Sequence, residues 1–437
     1  MKVTFVEPKG AFEGFSFGWV NQFPMTGQLY LGTILKQRGH DVEIRKESLE
    51  DIDPAKLDCD VLCLSIMSST AKRGYRIAEQ FKKHNPDKKV IIGGVHATFR
   101  PKEALQYADN VLVGEGESVI VDLVENGYKK EIIQGRPCEN LDELPFPDLS
   151  LLKNVKLPLY YTPVSTSRGC PFDCTFCSVS TMFGRKFRFR SPKSVIDELN
   201  ANRHNKIFFY DDNFIALRSR VKEIMRLMKE NKTKWQWVTQ ATTHIANDDE
   251  MLKLMSDTNC HVLCIGFESI NPKTLKEYNK HHNIKGLGTI KKSIKKIHDA
   301  GIQIRGMFVF GSDNDDKKAI KRTVDFCNVN NIEYPQFTVM TPFPGTQLYE
   351  QLNSQKRIFS KDWRLYDCHH VVYKPKGLSA YELQVKLNQA VKDLYWFTKE
   401  GTRFFFQNFT KSIQILKKCA KWSKANKAYL RFLKKIH

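Results

Sequence analysis

Three of the 11 cysteines lie within eight consecutive positions, in the stretch RGCPFDCTFC near the middle of the 437-residue chain. Cys170, Cys174 and Cys177 follow the spacing C-x3-C-x2-C and come directly after a predicted strand. Thiolates at such a spacing can converge on one metal centre. Inside a cell thiols are kept reduced, so clustered cysteines there favour a metal site or catalysis over a disulfide.

Two kinds of metal centre can be weighed for these thiolates. A structural zinc site takes four ligands, usually from paired C-x2-C knuckles, and the sequence has no second knuckle. His204, Cys260 or Cys264 could supply a fourth ligand, although their spacing does not indicate it. Three thiolates alone suit a four-iron, four-sulfur (4Fe-4S) cluster whose remaining iron is open to a substrate or cofactor. A non-enzymatic zinc-binding module remains the rival interpretation.

The cysteines stand among segments that alternate between strand and helix. A predicted strand in YTPVSTS precedes them, and five more follow in KIFFYDDNF, KWQWVTQATT, HVLCIGFES, QIRGMFVFG and YPQFTVMTPFPGT. Six such units predict a partial, TIM-like (β/α)6 barrel over residues 161–346, open on one side. Barrels of this kind keep their active sites at the C-terminal ends of the strands, where the cysteines lie. Residues 347–437 read as a helical region with a basic tail.

The first 130 residues predict a separate α/β domain. Strand and helix alternate strictly, which implies a doubly wound parallel sheet with ligands bound off its C-terminal edge. The loops at that edge are Ser65–Thr70, Gly93–Thr98 and Gly114–Glu117, and their glycines let the backbone pass close to a ligand. None has the G-x-G-x-x-G pattern of a dinucleotide site. A polar, proline-bearing linker is expected over residues 131–160.

The net charge of +21 invites a nucleic-acid interpretation, but its distribution argues against one. Residues 402–437 hold 10 Lys or Arg and no acidic residue. About half of the excess charge therefore lies in a short tail, and no nucleic-acid partner is expected. Neither a signal peptide nor an apolar stretch near the roughly 20 residues of a membrane span is seen, so we expect a cytoplasmic protein.

The cysteine motif, with an aromatic before its last Cys and a six-unit half barrel around it, resembles the radical SAM superfamily. The resemblance implies that the three cysteines hold a 4Fe-4S cluster whose open iron chelates S-adenosylmethionine (SAM). An electron from the cluster then cleaves SAM to methionine and a 5′-deoxyadenosyl radical, which takes a hydrogen atom from an unactivated carbon. The SAM-binding residues implied by the resemblance are Phe176, Asp211, Asp212, Gln240 and Glu268.

The added N-terminal domain resembles the cobalamin-binding class of that family, whose relatives include methylases, an anaerobic porphyrin cyclase and hopanoid-modifying enzymes. GGVHAT, GEGE and LPFPDL carry this resemblance. It implies a cobalamin site formed by Ser65, Ser68, Gly93, Gly94, Gly114 and Glu115. The D-x-H-x-x-G motif that supplies a cobalt ligand in many cobalamin proteins is absent, and His96 is better explained as part of its loop.

The resemblance also implies a reaction. One SAM would methylate cob(I)alamin, a second would yield the radical, and the substrate carbon would take the methyl group, giving C-methylation at an sp3 carbon. Without cobalamin the same barrel could perform cyclisation, coupling or rearrangement. Tyr366, His369 and His370 are predicted to line the substrate cavity. A flavodoxin or ferredoxin would supply electrons.

The basic tail mixes aromatics with lysines, as helices that lie on anionic membrane surfaces do. If it binds lipid, the protein is peripheral at the membrane and a lipid substrate is favoured over another small molecule.

Overall fold

The computed structural model of the chain describes residues 1–11, 25–126, 130–155, 159, 161–184, 186–202, 205–231, 234–397 and 426–436. His204 and most of the basic tail lie outside these ranges. Within them two parallel sheets follow one another along the chain. This arrangement confirms the predicted fold class.

The N-terminal sheet has six parallel strands in the order β2-β1-β3-β4-β5-β6. Its central strands β1, β3, β4 and β5 are short and mostly buried because helices cover the sheet, whereas the edge strands β2 and β6 are partly exposed. The order reverses between β1 and β3, and open α/β sheets bind ligands at such a switch point. The strands are β1 Lys2–Glu7, β2 Asp41–Lys46, β3 Val61–Ser65, β4 Lys89–Gly93, β5 Asn110–Val113 and β6 Glu131–Gln134; the helices are α1 Thr26–Gln37, α2 Ala71–His84, α3 Val95–Phe99, α4 Pro101–Ala104 and α5 Ile120–Glu125.

The second sheet also has six parallel strands, in the order β14-β13-β12-β11-β10-β7. Neighbours in the sheet are also successive β/α units along the chain, as in a barrel, and β7 and β14 form the two ends. The strands are β7 Thr162–Val164, β10 Lys206–Phe209, β11 Gln236–Ala241, β12 Cys260–Glu268, β13 Gln303–Phe310 and β14 Gln336–Val339. Their C-terminal ends form what we call the barrel mouth.

Two further strands, β8 Ser167–Arg168 and β9 Arg188–Phe189, pair antiparallel beside the barrel mouth. The cysteines lie between them, in a loop of residues 169–178 that we call the cysteine loop. The remaining helices are α6 Val179–Phe183, α7 Pro192–Asn202, α8 Arg218–Glu230, α9 Asp249–Asp257, α10 Pro272–Glu277, α11 His281–Gly286, α12 Ile290–Asp299, α13 Ala319–Val329, α14 Gln347–Ser354, α15 Ala380–Phe397 and α16, residues 426–435.

The two domains share packing. One buried apolar cluster contains Val6 and Ile66 of the first sheet together with Val164 of the second. The C-terminal region joins them as well, since Trp363 Nε1 donates to Glu103 Oε1 at 2.8 Å and Arg100 lies over the Tyr349 ring at 5.0 Å. No helix of the described ranges is long and apolar enough to cross a membrane.

Candidate active site

The cysteine loop is fastened to the barrel by its backbone. Thr175 N donates to Tyr278 O at 3.1 Å, and Thr175 O accepts from Leu348 N at 2.9 Å. Asn279 adds a side-chain bond from Nδ2 to Asp173 O at 2.8 Å. The loop leaves β8 through Gly169, whose φ of +90° favours glycine. These bonds hold the three thiols at the barrel mouth.

Cys170, Cys174 and Cys177 are half-buried free thiols that lie close enough to influence one another's charge. Burial raises the pKa of all three, to about 11 for Cys174 and about 12 for Cys177. A metal centre would displace those protons, since thiolates are the ligands of iron. Among the described residues no three His, Cys, Asp or Glu side chains are grouped closely enough for a single ion. The thiolates of a multi-iron cluster bind different iron atoms, so they need not be grouped around a single ion. The number and the half-buried position of the three cysteines therefore fit a 4Fe-4S cluster.

The two carboxylates after β10 have different surroundings. Asp211 is fully buried and accepts from Thr166 N at 2.6 Å, from Ser167 N at 3.1 Å and from the Thr166 hydroxyl. Its carboxylate therefore fixes the chain just before the cysteine loop. Burial raises its pKa, and these bonds oppose the rise.

Asp212 instead keeps an exposed side chain within the barrel mouth. The surrounding protein and the Asp211 charge raise its pKa to about 7, while a hydrogen bond from Gly169 N opposes the rise. Its charge in turn raises the pKa of Cys170 and Cys177. Of the two predicted SAM-binding aspartates, Asp212 is thus the one whose carboxylate faces the cysteines.

Glu268 ends β12 with a φ of +61°, an uncommon conformation for a non-glycine residue. Its carboxylate forms an ion pair with Lys280, with 2.5 Å between Oε1 and Nζ, and both side chains are buried. Gly266 makes room for the pair, because a Cβ there would meet Glu268 Oε1 at 2.5 Å and Lys280 Nζ at 2.9 Å. Lys280 also acts electrostatically on Cys174 and Cys177. Sequence reasoning missed this lysine, which no motif marks.

The other two predicted SAM-binding side chains have partners inside the protein. Gln240 Nε2 donates to Asp211 O at 2.9 Å, which joins the ends of β11 and β10. Phe176 packs edge-on against Tyr278, with ring centroids 5.2 Å apart. Both lie at the barrel mouth, as predicted, and their contact with SAM remains a prediction.

Several buried polar atoms at the barrel mouth have no hydrogen-bond partner among the described residues, including Thr243 Oγ1, His282 Nε2 and Asn283 Oδ1. Unpaired buried polar atoms are costly, and they commonly mark a place where a ligand binds. His282 stacks on Phe172 of the cysteine loop at 3.9 Å between ring centroids, and Asn283 Nδ2 binds Gly266 O at 2.9 Å. These atoms fit a polar ligand such as SAM next to the cysteines.

The edge loops of the N-terminal sheet are joined by backbone bonds, from Ile66 N to Gly93 O at 3.0 Å and from His96 N to Ile66 O at 3.1 Å. Gly94, at a φ of +93°, has no room for a Cβ because Ile66 N and O would lie 2.8 Å from it. Met67 and Val95 project there with 44% and 37% of their surface exposed. The close approach of the Gly94 and Ile66 backbones and the exposed apolar side chains lie at the switch point of the sheet. Together they fit a large ligand such as a corrin ring.

Of the other residues predicted to bind cobalamin, Ser65 Oγ donates to Met25 Sδ at 3.4 Å. Ser68 Oγ lies 3.0 Å from His96 Nδ1, and His96 Nε2 lies 3.5 Å from Glu103 Oε1. His96 is buried with both ring nitrogens engaged, so its loop accounts for it. The N–H of Gly114 donates to Thr98 Oγ1 at 3.1 Å. Glu115 is ion-paired to two arginines.

The predicted substrate residues lie in a segment that runs beside β14, where Val339 N donates to Cys368 O at 2.8 Å. Tyr366 is buried, and its hydroxyl donates to Ser360 O at 2.9 Å. His370 Nδ1 lies 2.9 Å from Asp367 Oδ2, and burial lowers the pKa of His369. These contacts describe core packing, and substrate contact remains a prediction.

The C-terminal edges of the two sheets meet at the cysteine loop. Glu115, after β5, reaches Arg168 at the start of that loop. Tyr210, after β10, is 41% exposed, and the surrounding protein, Glu7 at the end of β1 and Asp212 raise its pKa. The C-terminal edge of the first sheet is therefore in contact with the barrel mouth of the second.

Comparison with known proteins identifies the class that this fold and site define. The model of the Radical SAM superfamily matches residues 164–327, and that of the B12 binding domain matches residues 21–124. The chain belongs to the radical SAM superfamily, in the class that carries an N-terminal B12 binding domain. It is thus a radical SAM enzyme rather than a zinc-binding module, and the predicted 4Fe-4S cluster, SAM and cobalamin are confirmed as its cofactors. Such enzymes need a substrate and a reductant.

Particular relatives extend the match over most of the chain. The bacteriochlorophyllide d C-12(1)-methyltransferase of Chlorobaculum tepidum is 31% identical over 381 residues, which are 84% of this chain and 82% of that protein. The anaerobic magnesium-protoporphyrin IX monomethyl ester cyclase of Rubrivivax gelatinosus is 26% identical, over 77% of this chain and 65% of that protein. The solved structure of the cobalamin-dependent SAM radical enzyme OxsB, with aqua-cobalamin and SAM bound, has a TM-score of 0.68 at 17% identity, covering 99% of this chain and 72% of that one.

Proposed function

We propose that the protein methylates an unactivated sp3 carbon of its substrate with SAM and cobalamin. The observation that carries the proposal is the meeting of the two C-terminal edges, where Glu115 of the B12 binding domain binds Arg168 beside Cys170. A carbon radical formed at the barrel mouth is then next to the domain that holds cobalamin. The similarity to a methyltransferase over 84% of the chain supports the same reaction.

The residues at the barrel mouth have distinct roles in this proposal. Cys170, Cys174 and Cys177 hold the cluster. Asp212 and Glu268 bind the amino group and the ribose of SAM, and Lys280 neutralises Glu268 beside the cysteines. When bound, the cluster supplies the electron that cleaves SAM and cobalamin carries the methyl group.

The proposed cobalamin site is the edge formed by Ser65, Ser68, Gly93 and Gly94, with Met67 and Val95 against the corrin. Its support is the close backbone approach at Gly94 and the exposure of the two apolar side chains. His96 supplies no ligand to cobalt, because Ser68 and Glu103 engage its two nitrogens. We also propose the domain divisions at residues 160 and 346; the predicted division at residue 130 moves past β6 Glu131–Gln134, because this strand pairs with β5 in the first sheet.

The substrate we propose is apolar. Met67, Val95 and Tyr210 leave large apolar surfaces exposed where the two edges meet, and exposed apolar surface marks a binding site. The relative from Chlorobaculum tepidum acts, by its name, on a bacteriochlorophyllide. A lipid and a tetrapyrrole each have an apolar surface that could be buried where the two edges meet. A flavodoxin or ferredoxin is the proposed reductant.

Membrane contact through the basic tail rests on residues outside the described ranges. In the described part, α16, Leu433 is fully buried and Tyr429 OH donates to Val371 O at 2.5 Å, whereas Phe432 is 42% exposed. Contact of α16 with anionic lipid would therefore involve Phe432 and the exposed lysines of this helix. Full-length and tail-less proteins that sediment equally with anionic vesicles at low salt would remove this part of the proposal.

The test uses anaerobically reconstituted, reduced enzyme incubated with SAM and cobalamin. We expect corrin that stays bound through gel filtration, S-adenosylhomocysteine from the methyl transfer, and 5′-deoxyadenosine from the radical reaction. The variant with Cys170, Cys174 and Cys177 all changed to Ala serves as control and should form no 5′-deoxyadenosine.

5′-Deoxyadenosine without S-adenosylhomocysteine or bound corrin would contradict methylation. It would favour cyclisation, coupling or rearrangement, a second candidate supported by the similarity to the porphyrin cyclase.

A further inference from the structure

Four side chains join the B12 binding domain to strands β8 and β9, which lie on either side of the cysteine loop. Arg168 Nη1 donates to Glu115 Oε2 and Arg168 Nη2 to Glu117 Oε1, each at 2.6 Å. Arg188 Nη1 also donates to Glu115 Oε2, at 3.0 Å, and its Nη2 binds Glu115 Oε1. We call Glu115, Glu117, Arg168 and Arg188 the Glu115 clasp.

The clasp is buried, unlike a nearby ion pair between the predicted linker and the segment before β9. The side chains of Arg188 and Glu115 are 3% and 4% exposed, whereas those of Lys186 and Glu139 are 69% and 63% exposed. Burial raises the pKa of Glu115, but the hydrogen bond from Arg188 and the charges of both arginines outweigh it and hold the pKa below its usual range. The stabilisation of a buried carboxylate that two arginines keep charged depends strongly on the positions of those arginines. The stabilisation of an exposed ion pair depends on such positions much less, because water solvates its charges.

The arginines occupy equivalent positions on the two strands that frame the cysteine loop. Arg168 on β8 and Arg188 on β9 are paired opposite one another, and Cys170 follows Arg168 by two positions. The segment between these strands, which contains the cysteine loop and α6, is thus held at both ends by one carboxylate of the other domain.

Within its own domain, Glu115 is held next to the proposed cobalamin edge by contacts of the surrounding backbone. Its neighbour Gly114 has a φ of +80° and binds Thr98, which follows Gly94 in the edge loop. Gly135 packs against the Glu115 carbonyl so closely that a Cβ there would overlap it. Cys138 N donates to Glu115 Oε2 at 3.2 Å, and Cys138 O accepts from Arg188 at 2.6 Å.

We propose that Glu115 is a positioning residue that fixes the distance between the cluster and the cobalt. This inference rests on the proposed function, since it concerns methyl transfer between the two cofactor domains. Glu115 was predicted to contact cobalamin, and the clasp gives it a different task. Its carboxylate is occupied by Arg168, Arg188 and Cys138 N, and it acts through the two arginines on the loop that holds the cluster.

The consequence concerns coupling between the two reactions. With the clasp weakened, the cluster and SAM stay in place on the barrel, so SAM is still cleaved. The substrate radical then meets the methyl donor at a variable distance, and 5′-deoxyadenosine is formed without methyl transfer. A residue that only stabilised the fold would lower both reactions together.

The experiment measures the cobalt-to-cluster distance by pulsed dipolar electron paramagnetic resonance (EPR). The full-length enzyme carries cobalt(II) cobalamin and the reduced cluster. We expect a narrow distance distribution for the wild type and the exposed-pair control E139Q. For E115Q we expect a distribution at least twofold broader, and for E115D an intermediate width, because E115D keeps the charge. The ratio of 5′-deoxyadenosine to S-adenosylhomocysteine should rise severalfold in E115Q alone.

A width in E115Q equal to that of the wild type, at equal cluster and corrin content, overturns the inference. If E115Q does not assemble, R188K is measured in its place, because lysine keeps the charge but loses the two-pronged contact of Arg188 with Glu115; an unchanged width there overturns the inference equally. A wild type that shows the cluster signal but retains no corrin refutes the proposed function, and the inference falls with it. The wild-type spectrum thus distinguishes a failure of the proposed function from a failure of the positioning role of Glu115.

Discussion

Lys280 and Glu268 form a buried ion pair at the barrel mouth, with 2.5 Å between Nζ and Oε1 and side chains only 10% and 11% exposed. The lysine also lies near Cys174 and Cys177. Two opposite charges removed from water depend on each other, because either one left alone would be buried without compensation.

We expect K280M to destabilise the protein by about 3–5 kcal/mol, the usual cost of leaving one partner of a buried pair without the other. Denaturant unfolding of the full-length enzyme measures this. The matched control is K229M, since Lys229 pairs with Asp257 at the surface, and it should leave the midpoint unchanged. Equal midpoints for K280M and K229M would show that the pair is not buried as described.

Mutations of the two aspartates after β10 should affect different properties, protein stability for Asp211 and SAM affinity for Asp212. D211N places an amide where Asp211 accepts three hydrogen bonds, so we expect a loss of about 1–3 kcal/mol in unfolding free energy. D212N should leave stability unchanged but weaken SAM binding about tenfold, or about 1.4 kcal/mol. Unfolding curves and SAM titration of the cluster EPR signal report these two quantities. A stability loss in D212N as large as that in D211N would contradict the assigned roles.

Each single Cys→Ala change in the cysteine loop should abolish the broad iron–sulfur absorbance near 400 nm after anaerobic reconstitution. C138A is the matched control, because Cys138 is also a half-buried free thiol but lies outside the motif. It should keep full absorbance and iron content. A colourless wild type that binds one zinc ion would exclude the cluster.

The Glu115 clasp predicts a pH dependence of stability. The pKa of Glu115 is held below its usual range, so on acidification the unfolded chain takes up a proton first, near the free value of about 4.3. The stabilisation is therefore fully present above that pH and is lost as the pH falls through the lower, folded pKa. The thermal-midpoint gap between wild type and E115Q should be constant from about pH 8 to 6 and narrow in acid. A gap that widened on acidification would contradict this sign.

The sequence predicted the fold well because its signals are local. Apolar runs such as KIFFY mark most strands of the two sheets, and strict alternation of strand and helix leaves few topologies. The position of Cys170, Asp212 and Glu268 at strand ends followed from the same alternation, since parallel strands place those ends together.

The partners of these side chains could not be predicted in the same way. Lys280 follows Glu268 by 12 positions, and Arg188 is 73 residues from Glu115. Such pairs depend on side-chain direction and on how two domains pack, neither of which a single sequence encodes locally. For the same reason GEGE could be placed at the sheet edge, whereas the use of Glu115 as an interdomain ion-pair residue could not.

The N-terminal domain contacts the rest of the chain through the Glu115 clasp, through Arg100 and Glu103 against Tyr349 and Trp363, and through the apolar cluster that both sheets share. A hinge motion that swung the domains apart would have to break all of these contacts, including a buried charge pair. Ligand exchange is therefore expected to proceed by local loop rearrangement, with the two domains keeping a fixed orientation through the catalytic cycle.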